Sequence, residues 1–249
     1  MDVIWRTPRP TPHASTDPSE NATNPAPILV GGRRAGPSDA VYQVSFRSAD
    51  GNHRCGGAIL NARTVITAAH CTYGHKPEGV IVMVGSIQLI DGNTKYDVNQ
   101  LITHPDYEGT HHTNDIALVI TRTRITFTSW VKPIPLSKKF TGAGVTLKVT
   151  GWGQTETPSN AIPNDLQLLY VKTISVADCK AEFPNSINSQ ICTSTRTGQG
   201  ICFADSGGPL VGPDGHLVGL ASFVSSCATG KPDLSTRISS FVSWINKNS

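Results

Sequence analysis

The chain has 249 residues, a formal net charge of +3 at pH 7 and only 16% charged residues. A chain of this length can bury a substantial core in one or two domains. Its Lys and Arg residues are scattered, so we expect no nucleic-acid partner and no charged interaction tail. No apolar run approaches the roughly 18 residues that a membrane-spanning helix needs, so we expect no membrane span.

Residues 1–28 are rich in Pro, Ser and Thr and poor in aliphatic side chains, which predicts a flexible N-terminal extension or pro-segment. They lack the basic start and the apolar core of a signal peptide. If the protein is exported, we therefore expect that its signal is missing from this sequence or that its route is unusual. Asn21 lies in the only Asn-x-Ser/Thr sequon, which matters only in a secreted chain.

After residue 28, short apolar stretches alternate with turn sequences, as is typical of all-β proteins. The 23 Gly and 17 Pro residues also favour strands and turns over helices. In chain order, the predicted strands contain YQVSF (42–46), GVIVMVG (79–85), DIALVI (115–120), VTLKVTGWG (145–153) and HLVGLASF (216–223). The turn signals include ADGN (49–52), IDGN (90–93) and GPDG (212–215). This spacing predicts a β-sandwich or a β-barrel.

A helix is predicted at the C-terminal end of the sequence. Ile238, Phe241, Val242 and Ile245 recur there at helical spacing. We expect the apolar face that they form to dock on the rest of the protein, with no catalytic role.

The six cysteines form an even set, which favours disulfides and an oxidising compartment. Buried free thiols in a cytosolic protein are the alternative. Because the sequence contains no Cys-x-x-Cys pair, we expect neither a zinc ribbon nor a redox motif.

Three separated stretches carry the residue types of catalysis by a serine nucleophile: VITAAHC with His70, HHTNDIALV with Asp115 and ADSGGPL with Ser206. A serine hydroxyl needs a base to take its proton, and an imidazole base needs a carboxylate that fixes its tautomer. Each stretch alone is a weak signal, since a lone histidine is usually structural and Asp-Ser-Gly is ordinary turn chemistry. The combination is a much stronger indication of a catalytic serine.

Five motifs follow one another along the chain: LVGG (29–32), CGGAILNARTVITAAHC (55–71), NDIALV (114–119), GWG (151–153) and DSGGPLV (205–211). In these motifs and their order, residues 29–249 resemble the chymotrypsin/trypsin family of serine peptidases. The stretches VKPIPL (131–136) and IPNDLQ (162–167) are most similar to arthropod digestive chymotrypsins.

The resemblance implies an all-β fold of two antiparallel six-stranded β-barrels packed side by side, with a C-terminal helix. Residues 29–140 would form the first barrel with His70 and Asp115. Residues 141–249 would form the second barrel with Ser206, the specificity pocket and the helix. By the same resemblance, Ser206 is the nucleophile, His70 the general base and then acid, and Asp115 the buried carboxylate that orients it.

The resemblance also implies which cysteines pair: Cys55 with Cys71 around the loop of His70, Cys179 with Cys192 in a surface loop, and Cys202 with Cys227 between two walls of the pocket. Six cysteines allow fifteen pairings, so their spacing alone does not decide. Closing each loop would stabilise the protein by about 3 kcal/mol in the chain-entropy description.

Members of the family are made as inactive precursors, and the resemblance places the activating cut after Ile28. The new amino group of Leu29 would enter the protein and pair with Asp205. Burying an unpaired carboxylate is costly, so this pairing can order the pocket. Because Arg or Lys is missing before the cut, trypsin should not activate this chain.

Ala204 stands where the nucleophile loop of the family has glycine. The resemblance implies that the backbone N–H groups of Ala204 and Ser206 form the oxyanion hole. The added methyl group matters if the backbone needs a positive φ there, which costs an L-residue about 1–2 kcal/mol. We therefore expect an enzyme that is weakened or selective rather than inactive.

The resemblance also assigns the specificity pocket. Gly200 lies at its floor, Ser222 begins the strand that pairs with the substrate backbone, Val224 lies at its mouth and Asp233 on its wall. Exposure of Asp233 to solvent in a loop is the alternative. A narrowed pocket with a displaced charge predicts cleavage after mid-sized residues such as Leu, Met or Ile, with some cleavage after basic residues.

We therefore expect a secreted serine endopeptidase that works through an acyl-enzyme, with chymotrypsin-like, elastase-like or broad specificity. A weakened or silent homologue that acts as a binding protein or decoy is the alternative, and an unrelated all-β structural protein is a third. The expected partners are protein or peptide substrates and protein protease inhibitors, and the expected oligomeric state is a monomer.

No cofactor or catalytic metal is expected. Four histidines are interpreted as residues of solvated loops rather than metal ligands: His75, His104, His111 and His112. Residues 84–96 offer only Asp91 as a carboxylate, so we predict no calcium site.

Overall fold

The computed structural model describes residues 32–153, 162–202, 204–224 and 227–249. Its strands are β1 (Arg33–Arg34), β2 (Gln43–Ser48), β3 (His53–Ile59), β4 (Thr64–Thr67), β5 (Val80–Val84), β6 (Thr94–Thr103), β7 (Ala117–Thr121), β8 (Thr146–Gly151), β9 (Gln167–Thr173), β10 (Gln190–Ser194), β11 (Pro209–Val211), β12 (Leu217–Val224) and β13 (Asp233–Arg237). The helices are α1 (Val176–Glu182) and α2 (Val242–Asn248), with short 3₁₀ helices at Ala69–Cys71, Pro77–Gly79 and Ile238–Ser240.

The first barrel is closed by six antiparallel strands in the order β2-β3-β4-β7-β6-β5. Strand β5 shows why the sequence predicts it: Val80, Val82 and Val84 are buried, whereas the residues between them are partly exposed. Alternation with a period of two places one face of the strand in the barrel interior, where β-branched side chains pack well.

The second barrel contains β8-β9-β10-β13-β12-β11 and is closed because β8 pairs with both β9 and β11. Strand β1 adds to the outside of this sheet by pairing with β9. Two closed antiparallel six-stranded barrels followed by a C-terminal helix confirm the predicted fold class. Among the described residues, no helix has both the length and the apolar character needed to cross a bilayer.

Of the four residues whose spacing predicts the C-terminal helix, Val242 and Ile245 lie in α2, whereas Ile238 and Phe241 precede it, and Val242 is partly exposed. Ile238, Phe241 and Ile245 are buried in a core cluster that also contains Ile116 and Leu118 of the first half of the chain. The ring of His104 packs on Phe241 with 5.3 Å between the ring centroids. The helix therefore ties the end of the chain back to the first barrel.

Two segments connect the halves of the chain. Strand β1 lies in the range 29–140 but pairs with the second sheet, and α2 lies in the range 141–249 but packs against residues of the first half. These contacts cross the predicted boundary at residue 140, and the division there remains a prediction.

Helix α1 is not among the sequence-based predictions. Its N-cap Ser175 accepts a hydrogen bond from the backbone N–H of Asp178 at 3.0 Å, and its side chain also donates to the Asp178 carboxylate at 2.7 Å. Ser-x-x-Asp is a helix-start signal, but the helix spans only seven residues and buries only Cys179. So short an element shows no apolar periodicity.

The six cysteines form three disulfides, Cys55–Cys71, Cys179–Cys192 and Cys202–Cys227, which are the pairs that the resemblance implies. The first joins β3 to the 3₁₀ helix that carries His70, and the second joins α1 to β10. All six are therefore covalent supports of the fold, and none of them is a free thiol.

Candidate active site

His70 and Asp115 are bonded to each other between the two barrels. The Nδ1 atom of His70 lies 2.8 Å from Oδ2 of Asp115, and the backbone N–H of His70 donates to Oδ1 at 2.9 Å. The side chain of His70 is 25% exposed and that of Asp115 is fully buried. The carboxylate thus fixes the ring on one side and leaves Nε2 for a reaction in the cleft.

Two further hydroxyl groups, both from the second barrel, hold Asp115 in place. Ser222 Oγ donates to its carboxylate at 2.5 Å, and Thr236 Oγ1 donates to its backbone carbonyl at 2.7 Å. Burial opposes ionisation of Asp115, but the hydrogen bonds and charge of His70, together with Ser222, outweigh it and hold the pKa below its ordinary value. The group is therefore an anion at neutral pH.

Ser206 shares a cleft of about 190 Å³ with His70. The other residues that line this cleft are His112, Ile201, Cys202, Ala221, Ser222, Phe223 and Val224. The carbonyl of Ser206 accepts a hydrogen bond from Gly56 of the first barrel at 2.8 Å. The serine is thus held across the interface between the barrels, on the same side as the imidazole.

The loop of Ser206 requires its glycines. Gly207 has φ +74°, and a Cβ there would overlap Thr67 Oγ1 and the carbonyl of Gly56. A Cβ on Gly208 would lie 2.7 Å from the carbonyl oxygen of Asp205. The Ser-Gly-Gly sequence therefore permits a close approach of this loop to β3 and β4.

Ala204 has φ +71°, in the left-handed region that favours glycine. Among the described residues, the N–H groups of Ala204 and Ser206 have no hydrogen-bond acceptor. Two free N–H groups beside a serine hydroxyl form a site that can bind a developing oxyanion. Because φ is positive at this position, the methyl group of Ala204 strains the backbone.

His53, which the sequence analysis did not single out, contacts this loop. It is buried, its Nδ1 lies 2.9 Å from Ser45 Oγ, and its Nε2 lies 3.1 Å from the carbonyl of Ala204. Burial lowers its pKa to about 4, so the ring is neutral at physiological pH. No sequence signal connects His53 with a residue 151 positions later; only the fold does.

Asp205 is fully buried behind Ser206. Its carboxylate accepts hydrogen bonds from the backbone N–H of Gly153 at 2.8 Å and of Cys202 at 3.0 Å, yet burial raises its pKa to about 7. A Cβ at Gly151 or Gly153 would overlap this carboxylate, which explains the Gly-Trp-Gly motif. Leu29, the predicted partner of Asp205, lies outside the described residues.

Of the four residues that the resemblance assigns to the specificity pocket, Ser222 and Val224 line the cleft of Ser206, whereas Gly200 and Asp233 are not in its lining. Val224 pairs with Asp233 across β12 and β13, and a Cβ on Gly200 would come within 3.7 Å of Asp233 Oδ2. Ser222 precedes Val224 on β12, and both line the cleft with Ser206. Asp233 is only 3% exposed, so the alternative that it points into solvent is wrong.

The Asp233 carboxylate lies in an apolar environment. Burial raises its pKa to about 7, against one hydrogen bond from the backbone N–H of Ile201, and the negative charge of Asp205 adds to the increase. Since Ile201 lines the cleft of Ser206, Asp233 lies directly behind the cleft wall.

Comparisons with known proteins agree with this geometry. The family model described as Trypsin matches residues 29–245. The chain is 38% identical over 221 residues to chymotrypsin-2 of the hornet Vespa crabro, with 88% of this chain and 99% of the relative covered. It is 33% identical over 225 residues to trypsin of Sus scrofa, with 88% and 94% covered.

The chain belongs to the trypsin family. Its fold superposes on mouse neuropsin, described as a serine protease expressed in the limbic system of the brain, with a TM-score of 0.80. The two are 31% identical, and the match covers 87% of this chain and 97% of neuropsin. Like these relatives, this trypsin-family chain is a serine endopeptidase that acts on protein or peptide substrates.

His112 is a cleft residue of this trypsin-family protein, and its interpretation as a solvated loop residue is wrong. Its ring stacks on Phe223 at 4.7 Å and lies edge-on to His70 at 6.2 Å between centroids. Its backbone has φ +51°, a turn that sequence patterns did not indicate. His111, by contrast, is exposed and lies 3.1 Å from Glu108.

His70, His112 and Asp115 each offer a metal-ligating atom within 4.8 Å of the others. However, both oxygens of Asp115 already accept hydrogen bonds from His70. These hydrogen bonds account for the proximity of His70 and Asp115.

Proposed function

We propose that Ser206 attacks the substrate carbonyl, that His70 takes the proton of its hydroxyl group, and that Asp115 orients His70 and stabilises its cationic form. The observation that carries this assignment is the 2.8 Å contact between His70 Nδ1 and buried Asp115, beside a cleft that Ser206 shares. With Nδ1 bonded, Nε2 is the nitrogen that can accept the proton of Ser206.

The proposed reaction has two halves. In the first, the Oγ–carbon bond forms, the carbon–nitrogen bond breaks, and His70 passes its proton to the leaving amine. In the second, water attacks the acyl-enzyme, His70 takes a proton from it, and Ser206 leaves with that proton. The free N–H groups of Ala204 and Ser206 support a role in binding the oxyanion in both halves.

We further propose cleavage after mid-sized aliphatic residues, with a secondary preference for basic ones. Val224 supports the first preference, since it places an aliphatic residue in the lining of the cleft. Gly200 is proposed as the floor of the pocket. Buried Asp233, close to Gly200, supports the second, because a cationic side chain that reaches it would compensate its charge.

Activation is proposed to follow a cut after Ile28, with the amino group of Leu29 pairing with Asp205. A fully buried carboxyl group whose pKa is raised to about 7 supports this, since a cationic partner would relieve the cost of its burial. An elastase-like protease, or the enzyme itself, would make a cut after Ile28 that trypsin would not. To test this, the precursor is treated with elastase or with trypsin, and the mature N-terminus is sequenced after each treatment.

Secretion, a monomeric state and inhibition by protein protease inhibitors are parts of the same proposal. Three disulfides support secretion, because they persist in oxidising compartments. None of the described cysteines is left free to pair with a second chain.

Labelling with a fluorophosphonate tests the catalytic assignment. Stoichiometric modification of Ser206 in the activated chain, absent after His70→Ala, would support it. An unlabelled, folded, correctly activated chain that still binds peptides would instead favour a silent binding protein or decoy.

A further inference from the structure

A second hollow, of about 290 Å³, adjoins the cleft of Ser206 at His70 and shares no other lining residue with it. His70 lines both hollows, but only the second includes the Cys55–Cys71 disulfide. The remaining lining residues of the second hollow are Phe46, Arg47, Ser48, Arg54, His75, Gly79 and Val80.

The lining of this second hollow is basic. It contains the side chains of Arg47, Arg54 and His75, and no Asp or Glu. Within the described part of the chain, no carboxylate forms an ion pair with either arginine. Exposed Asp50 interacts electrostatically with Arg54 without an ion pair, and its carboxylate is hydrogen-bonded to Ser48 and Asn52.

The two arginines are held differently. Arg47 is partly buried and anchored by Ser45 Oγ at 3.0 Å and by the carbonyl of Leu89 at 2.6 Å. Arg54 alternates with buried neighbours on β3, is exposed, and has only a 3.3 Å bond to Ser48 Oγ. Arg47 thus gives the wall a fixed positive charge, whereas Arg54 is free to form a pair with an incoming anion.

The direction of the substrate follows from the roles under Proposed function, on which this inference rests. Under those roles, the acyl portion would occupy the cleft that Ser206 and Ser222–Val224 line. His70 would protonate the leaving amine, so the segment after the cleaved bond would leave the cleft past the imidazole. The basic hollow adjoins the cleft at that residue.

We propose that this hollow binds the first residues after the cleaved bond, and that Arg54, supported by Arg47, selects an acidic side chain among them. Three extended residues span about 10 Å, so the selected side chain lies within the first three positions. The attraction acts between exposed groups and is therefore modest and screened by salt.

Quenched fluorescent peptides provide the test. All carry the same residues before the cleaved bond, with Glu, Gln or Lys in turn at each of the three positions after it. We expect Glu to exceed Gln about fivefold in kcat/KM at one position at low salt, and this ratio to approach one at about 1 M salt. Equal rates for Glu and Gln at all three positions would overturn the inference.

Variants of Arg54 sharpen this test. Arg54→Ala should abolish the preference for Glu, Arg54→Lys should keep most of it, and Arg54→Glu should turn it into a preference for Lys. The matched control is Arg124→Ala, which removes an equal charge from an exposed residue that lines neither hollow, and should leave the ratio unchanged. If Arg124→Ala lowers the ratio as much as Arg54→Ala, the effect is one of net charge and the inference fails.

Two further measurements separate this inference from the proposed function. Short substrates whose leaving group is a dye, with no residue after the cleaved bond, report catalysis alone. If the protein turns over none of these peptides, anisotropy of a labelled peptide with an N-terminal Glu-Glu-Glu, compared with Gln-Gln-Gln, reports the hollow alone. Tighter binding of the Glu peptide that Arg54→Ala removes would support the inference, and equal binding would overturn it.

Discussion

The Nε2 atom of His53 lies 3.1 Å from the carbonyl oxygen of Ala204 and joins the first barrel to the loop of the catalytic serine. The ring is neutral because burial lowers its pKa to about 4. If Ser45 Oγ donates to Nδ1, then Nε2 carries the proton and donates to the carbonyl of Ala204. This bond holds a strained peptide in one orientation.

His53→Ala should therefore lower kcat about tenfold with little change in KM. The reason is that the oxyanion donors stabilise the transition state and contribute little to substrate binding. His53→Gln retains a donor and should recover part of the loss. Steady-state kinetics on one peptide substrate measures both. A rise in KM at constant kcat would contradict this positioning role.

Ala204→Gly should raise kcat and leave KM nearly unchanged, since glycine adopts φ near +71° without strain. Because Ala204→Gly removes backbone strain, it should also stabilise the protein by up to about 1 kcal/mol. Ala228 has φ +55°, so Ala228→Gly provides a matched measure of the gain in stability. An unchanged or lower kcat in Ala204→Gly would show that the loop tolerates alanine.

Ser206→Ala and His70→Ala should each abolish nearly all turnover, and the double variant should lose little more. The two residues act as one unit, so their effects on kcat are not additive. Losses that add on a logarithmic scale would refute the assignment. Circular dichroism of each variant checks that the fold is retained.

The preference for basic over aliphatic residues before the cleaved bond should rise with pH. Asp233 has a pKa raised to about 7, so its carboxyl group becomes an anion as the pH passes through that value and only then attracts a cation. The ratio of kcat/KM for Lys and Leu substrates, measured from pH 6 to 8, cancels any effect of pH that both substrates share. A ratio independent of pH would contradict this role of Asp233.

Two variants accompany this measurement. Asp233→Gly should remove basic cleavage and spare aliphatic cleavage, whereas Val224→Gly should admit aromatic residues because it opens the cleft lining. A strict preference for Arg and Lys in the unmodified enzyme would refute the whole pocket assignment.

Stability of the uncleaved precursor should fall as the pH rises from about 4 to about 7. The pKa of Asp205 is raised to about 7 in the folded protein from about 4 in the unfolded chain, so the folded state binds more protons in this window. The contribution of Asp205 is thus complete below pH 4 and is lost as the carboxyl group ionises. Urea unfolding of the Ser206→Ala precursor, which does not digest itself, measures the free energy of unfolding at each pH.

Asp205→Asn should remove the part of the pH dependence of the free energy of unfolding that comes from Asp205. The part that comes from Asp233 should remain, because the pKa of Asp233 is also raised. Cleavage after Ile28 should also flatten the slope, because an amino group beside Asp205 favours its ionised form. Identical slopes before and after cleavage would count against the pairing of Leu29 with Asp205.

Local patterns predicted an all-β protein, several of its strands and the C-terminal helix, whereas the two-barrel architecture followed from the family resemblance. Alternating residues such as Val80, Val82 and Val84 predicted β5, and the helical spacing of Ile238, Phe241 and Ile245 predicted α2. These features depend on neighbours a few positions away, so they are visible in one sequence. The stretches around His70, Asp115 and Ser206 are weak signals one by one, and it was their combination and the family resemblance that predicted the reacting residues.

The tertiary structure alone decided which distant residues act on that chemistry. The position of His112 against Phe223 and the bond from His53 to Ala204 depend on how one barrel packs on the other. The burial of Asp233 depends on residues such as Ile201 and Val224, which folding of the second barrel brings near it. A residue type states which hydrogen bonds or charges are available, but its pKa and partners depend on the surrounding dielectric and on groups brought near by folding. The sequence therefore determined the class of chemistry, and packing determined the strain and electrostatics under which it operates.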